Sequence, residues 1–302
     1  MYDQVARNKR RSLVLTVVFV LFTGGVVAAI LYLFDFGLVG VIVAAVVAVA
    51  SAVASYWKSD AVALRMSRAR PADPATFSRL HNLVEGLCIA GGVPKPKVYV
   101  IDDPAPNAFA TGRNPKHAAI AVTTGLLDIM NRVELEAVLA HELSHIKNDD
   151  ILVSTLAVTM VGLITLAADL SIRMMWWNGG RRGRGGDRTG GAAPFLGVIG
   201  LVLLVLSPLL ARLMQFAVSR RREALADVSA VELTRYPPGL IAALEKLRDD
   251  TTVVHAASRA TAHLWIEAPV AREEREGRLS RWNRLFDTHP PLEERIAVLR
   301  EL

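Results

Sequence analysis

Cysteine is almost missing: Cys88 is the only one in 302 residues. No internal disulfide can form, and nothing calls for an oxidising compartment. Lying in the apolar stretch Gly86-Leu87-Cys88-Ile89-Ala90, it reads as a buried core thiol rather than a nucleophile. Charge is absent from two long runs, Ser12 to Phe34 and Phe36 to Trp57. Each exceeds the roughly 20 residues with which a helix crosses a bilayer, so two transmembrane helices are expected. The first run is too long for the apolar part of a signal peptide, and Tyr32, Phe34 and Asp35 make a poor cleavage site, which leaves a membrane anchor. Also lacking are aromatics interleaved with the basic residues. The net charge of +6 comes from Lys and Arg clustered beside apolar runs, which fits membrane flanks and excludes a nucleic-acid surface. No self-similarity at 20 to 50 residues is present, so the chain is not a repeat protein.

What is there is a hydrophobic share of 52%, above that of an ordinary soluble protein. Ile151 to Ile172, broken only by Asp169, and Phe195 to Ser219, broken only by Arg212, read as a third and fourth membrane segment. Arg7, Lys9, Arg10 and Arg11 precede the first span, and Lys58, Arg65, Arg68 and Arg70 follow the second. The positive-inside rule puts both flanks in the cytoplasm. The glycine- and arginine-rich stretch Trp177 to Arg188 would then fall outside, against that rule, a conflict that a hairpin re-entering the membrane resolves. Between Arg70 and Asp150 the apolar residues are broken by charges, Pro and Gly. Lys97 to Ile101 and Ala118 to Thr123 read as strands, Asn107 to Gly112 as a candidate third, and Arg132 to Asn148 as a helix. After Ser219 the chain reads as charged helices broken at Pro237-Pro238-Gly239 and His289-Pro290-Pro291.

His141-Glu142-Leu143-Ser144-His145 is an H-E-x-x-H sequence, and helical i, i+4 spacing puts both imidazoles on one face, able to share a metal. A catalytic zinc takes three protein ligands and keeps a fourth position for water, so a third ligand is needed. Glu223 is the best candidate, with Asp227 one turn on and able to accept the second N–H of a ligand histidine; the competing reading is a surface glutamate paired with Arg221 or Arg222. An even number of crossings, or a hairpin, returns the chain to the same face, so His145 and Glu223 arrive at matching height. That arrangement places a site against the cytoplasmic membrane surface.

Together with the two N-terminal spans, several segments closely resemble the HtpX family of membrane-bound zinc metalloproteases, relatives of the CAAX prenyl endopeptidases. They are Pro106-Asn107-Ala108-Phe109-Ala110-Thr111-Gly112, Thr124-Gly125-Leu126-Leu127, the H-E-x-x-H helix continuing to Asn148 and Asp150, Arg222-Glu223 with Asp227, and Thr288-His289-Pro290-Pro291. The resemblance covers nearly the whole chain. It implies Glu223 as third ligand of one Zn2+ per subunit, Asp227 and Asp150 as its supporting residues, four spans with the catalytic domain inside, and a role in membrane-protein quality control or stress. Asn107, Ala108, Phe109 and Ala110 resemble the family's edge strand, where main-chain groups pair with substrate, an ordinary turn being the rival reading.

The expected fold is therefore mainly α, a multi-span membrane protein with a zincin-like α+β catalytic domain carrying a small sheet. Residues 1–11 form a cytoplasmic N-terminus and 12–57 the first two helices. Residues 58–150 make the first catalytic part, 151–219 the later membrane segments around a loop at 173–193, and 220–302 the second catalytic part. Glu142 is expected to act as base toward water and then as acid toward the leaving amine. His289 is a candidate oxyanion donor, or simply part of a helix cap. His81, His117, His255 and His263 lack ligand-like spacing and read as surface or packing residues. Expected partners are membrane-protein substrates and the lipid bilayer, with no nucleic acid; the oligomeric state is not encoded legibly. The alternatives are a CAAX-type prenyl endopeptidase, a zinc-binding membrane scaffold without activity, and a metal carrier, which the scarcity of polar residues in the spans disfavours.

Overall fold

The computed structural model describes residues 37–156, 220–254, 261, 264–266 and 290–302, with scattered positions between 10 and 28. The N-terminus 1–11, the first span, most of the third segment, the fourth, the loop 173–193 and His289 therefore lie wholly or mostly outside the described residues.

Helix α1, Gly37–Met66, has two different halves. Gly37–Ala54 has a mean hydropathy of 2.6 with 22% of its residues buried, so its apolar side chains face outward, as in a helix solvated by lipid. Among the described residues it is the one helix long and apolar enough to cross a membrane. Its buried positions, Gly40, Ala44, Ala48 and Ala52, recur every four residues and form a stripe of small residues. Gly24 approaches that stripe at Ala48. The other half runs on unbroken and packs Ala63 and Leu64 against the sheet. Arg68 closes the helix in a left-handed conformation, φ 53°, with Ala69 N–H returning to the Leu64 carbonyl.

The sheet has four strands in the order β1-β2-β4-β3. These are β1, Arg70–Pro71, β2, Lys97–Ile101, β3, Ala108–Gly112, and β4, Ala118–Thr123. β2 and β4 are parallel, and β1 and β3 join antiparallel at the two edges. Strand alternation decides the layers. Ala118, Ile120 and Val122 of β4 enter the main core, while Ala119 and Ala121 face the end of α1 and Trp265.

Helices α2, Ser78–Gly91, and α3, Thr124–Ile129, frame the central helix α4, Arg132–Lys147. A Cβ on Gly125 would collide with the Pro104 carbonyl; the bare residue lets the start of α3 nest there, its N–H bonded to Asp103 O at 2.9 Å. α4 starts at a full capping box. The Asn131 side chain accepts from the Val133 and Glu134 amides, and Glu134 accepts from the Asn131 amide at 2.8 Å. Lys246 then bonds Glu134 at 2.6 Å. Of the 16 residues of α4, 11 are buried, so it is wrapped on all sides: by α2, by α5, Arg220–Thr234, by α6, Pro237–Asp249, and by β3. Each large aliphatic buried this way contributes about 1.5–3 kcal/mol, which fixes the helix that carries H-E-x-x-H. The last helix, α7, Leu292–Leu299, packs on α6 and α5. The described residues are mostly helical with one small mixed sheet.

Candidate metal centre

His141 and His145 lie one turn apart on α4, and α5 delivers Glu223 to the same point. His141 Nε2 is 3.2 Å from His145 Nε2. Glu223 Oε2 is 3.7 Å from His141 Nε2, and Glu223 Oε1 is 3.8 Å from His145 Nε2. The three ligand atoms fall within 4.8 Å of one another. A tetrahedral ion bound at about 2.0–2.2 Å would need ligand atoms only a little over 3 Å apart, so the residues present fit a metal with small adjustments of rotamer.

The far side of each ring explains why both Nε2 atoms face inward. His141 Nδ1 is 2.9 Å from Asp227 Oδ1, which calls for a proton on Nδ1 and leaves the Nε2 lone pair for the site. His145 Nδ1 faces Asp150 Oδ2 at 3.5 Å. The turn between them is made by Asn148, which ends α4, and Asp149, left-handed at φ 55°; it aims Asp150 back at His145, and residues 150–156 then resume as helix. Two imidazole lone pairs and a carboxylate converging in a buried space demand a cation.

The electrostatics of these side chains say the same. Burial, then the Arg295 cation, pushes His141 down to about 4. Burial would also lower His145, but the carboxylates of Glu223, Asp150 and Glu142 outweigh it and raise it to about 9. The 3.2 Å between the two Nε2 atoms and the carboxylates around His145 both favour a positive charge at this point. Asp227 resists its burial through Arg295 and His141 and is held down to about 2. Glu142 is buried, with 2% of its surface exposed.

Arg295 was not visible as a site residue from the motifs. Its Nε and Nη2 grip Asp227 at 2.9 and 2.7 Å, and Nη2 lies 3.4 Å from His141 Nδ1. A signal was there: Leu292, Arg295, Ile296 and Leu299 share one face of α7 at i, i+3, i+4, i+7, and all four are buried. A cation on an apolar stripe requires a buried anion. Arg222 plays the matching part for Asp150, at 3.7 Å.

Asn107 to Ala110 run along the sheet edge nearest α4. Thr123 N–H bonds the Asn107 carbonyl at 3.0 Å, so in this antiparallel pair 107, 109 and 111 turn their main-chain groups toward β4 and 108, 110 and 112 turn theirs outward. The Ala108 amide donates to Asn107 Oδ1 at 3.0 Å, and the Gly112 amide to Thr155 Oγ1 at 3.1 Å. Phe109 points the other way, edge-on to Trp265 at 4.9 Å. His81 bonds the Ala72 carbonyl and His117 the Asn114 side chain, both away from the cage. His289, His255 and His263 lie outside the described residues.

Comparison with known proteins agrees with this geometry. A family model described as Peptidase family M48 matches residues 74–302. The "Protease HtpX homolog" of Caldanaerobacter subterraneus subsp. tengcongensis is 44% identical over 303 residues, covering 100% of this chain and 98% of the relative. That of Streptococcus uberis is 41% identical over 310 residues, covering 100% of both. Among solved structures, that titled "Crystal Structure of S. mikatae Ste24p" superposes with a TM-score of 0.50 at 19% identity, covering 99% of this chain and 67% of the other; it shares the fold. The chain belongs to peptidase family M48, and it is a membrane metalloprotease of the HtpX family.

Proposed function

We propose that the chain is a zinc-dependent endopeptidase, anchored by several membrane spans, that cuts membrane proteins at the cytoplasmic face in quality control or stress. The observation that carries this reading is the convergence of two Nε2 lone pairs and the Glu223 carboxylate beside a buried Glu142. Two imidazoles and one carboxylate, with a fourth position left open, are the donor set of a catalytic zinc. His141, His145 and Glu223 would hold the ion, which when bound supplies Lewis-acid polarisation of the scissile carbonyl and acidifies a water.

The chain's own residues do the rest. Glu142 accepts the proton of the attacking water and delivers it to the leaving amine nitrogen. Asp227 and Asp150 fix the tautomers of the two ligand rings. The outward main-chain groups of β3 pair with an extended substrate segment. The apolar half of α1, together with the first span and the segments at 151–172 and 195–219, holds this machinery against the bilayer, and the basic flanks of the first pair favour a cytoplasmic site.

Metal content and cleavage test the reading together. The purified full chain should bind one zinc, Glu223→Ala should lose it, and Glu142→Gln should keep it while chelator-sensitive cleavage of casein disappears. Unchanged cleavage by Glu142→Gln would refute the assignment of the base.

A further inference from the structure

Ile266 is held by both of its main-chain groups. Its N–H donates to the Ala108 carbonyl at 3.0 Å, and its carbonyl accepts from Arg295 Nη1 at 3.4 Å. Ala108 is an outward-facing residue of β3, so that carbonyl belongs to the row to which an added strand would bond. The guanidinium on the other side is the one that grips Asp227 behind His141. Side chains complete the seat. Trp265 is wholly buried against Phe109, Ile266 is 1% exposed within the main core, and Leu264 is buried beside Trp265.

We propose that Leu264–Ile266 fills, in cis, a peptide-binding subsite formed by the outer edge of β3 and Arg295, and that an incoming substrate must displace it. The proposal rests on the peptidase reading above and deepens it by naming what the subsite takes. A polypeptide segment binds there with its main chain between the Ala108 carbonyl and Arg295, placing an aliphatic residue where Ile266 sits and an aromatic one where Trp265 sits. Consecutive aromatic and aliphatic residues are common in membrane segments and scarce on folded soluble surfaces, so self-occupancy also discriminates: a weakly matching chain does not repay the displacement of a well-packed one. Arg295 links the two events, since the side chain that reads the segment's carbonyl also orients His141 through Asp227.

The test uses the full chain in detergent with the blocked hexapeptide Thr-Ala-His-Leu-Trp-Ile, the sequence of residues 261–266, as probe. Bound in trans at saturation, the peptide should speed amide exchange at the chain's own residues 264–266 by about tenfold or more, which is the release of a protected amide, and should inhibit casein cleavage competitively. Ile266→Pro, which removes the donated N–H, should lower KM for casein several-fold with kcat unchanged. Unaltered exchange at 264–266 under saturating peptide overturns the proposal, as does a rise in KM for Ile266→Pro at unchanged melting temperature and metal content. If the proline variant does not fold, the exchange measurement on the wild type decides alone. Absence of chelator-sensitive cleavage in the wild type would instead count against the peptidase reading, and exchange would still report on the subsite.

Discussion

The two imidazoles of the cage are alike in sequence and unlike in how they are held. Behind His141 stands a closed chain: Asp227 at 2.9 Å, gripped by Arg295 at 2.7 and 2.9 Å. Behind His145 the same order of residue types recurs, with Asp150 at 3.5 Å and Arg222 at 3.7 Å. The first arm ties together α4, α5 and α7, the last fixed by its buried face of Leu292, Ile296 and Leu299. The second is built at the turn where α4 ends, next to the helical residues 150–156. The electrostatics are opposite too: burial and then Arg295 pull His141 down to about 4, while Glu223, Asp150 and Glu142 outweigh burial and raise His145 to about 9. One arm sets the geometry, and the other carries the charge that a metal must replace.

Breaking the tight arm should have the largest effect. Arg295→Met leaves the Asp227 carboxylate buried without its cation, a loss of about 3–5 kcal/mol, read by denaturant unfolding of the detergent-solubilised chain. Arg222→Met should cost less, since its ion pair with Asp150 is longer, 3.7 Å against 2.7 Å. Equal losses would erase the distinction between the arms. Next in size is metal retention. Asp227→Asn and Asp150→Asn should weaken zinc binding within the range of about 10–100-fold typical for such supporting carboxylates, with Asp227→Asn at the upper end, in competition with a chromophoric chelator.

Proton release sharpens the contrast. A ligand imidazole must be neutral, so zinc entering at pH 7 should expel one proton, from His145 and not from His141. Apparent affinity should therefore rise with pH, about tenfold per unit, up to about pH 9; calorimetry in buffers of different ionisation heat measures the count. The smallest effect concerns the core's one thiol. Burial raises Cys88 to about 11, so at pH 8 the folded chain should react with a maleimide far more slowly than the unfolded chain. Because the unfolded thiol ionises first, Cys88 should also make stability fall as pH rises from 9 toward 11.

Much of the site was legible because its signals are local. His141, Glu142 and His145 are fixed by one helical turn, and Asp227 follows Glu223 by one turn. The valine- and alanine-rich strands could be read from composition, but the order β1-β2-β4-β3 could not, since parallel pairing of β2 with β4 leaves no mark in either segment. β1 went unread because two residues carry no period. Arg295 and Ile266 escaped for a deeper reason: what they do depends on contacts with residues 29 or more positions away, and only the oddity of a cation on an apolar stripe hinted at one of them.

Helix α1 runs without a break from its lipid-facing turns to the residues that lie under β3 and β4. No hinge separates the two. A tilt of the outer half would therefore be carried to the inner half and to the strands packed on it.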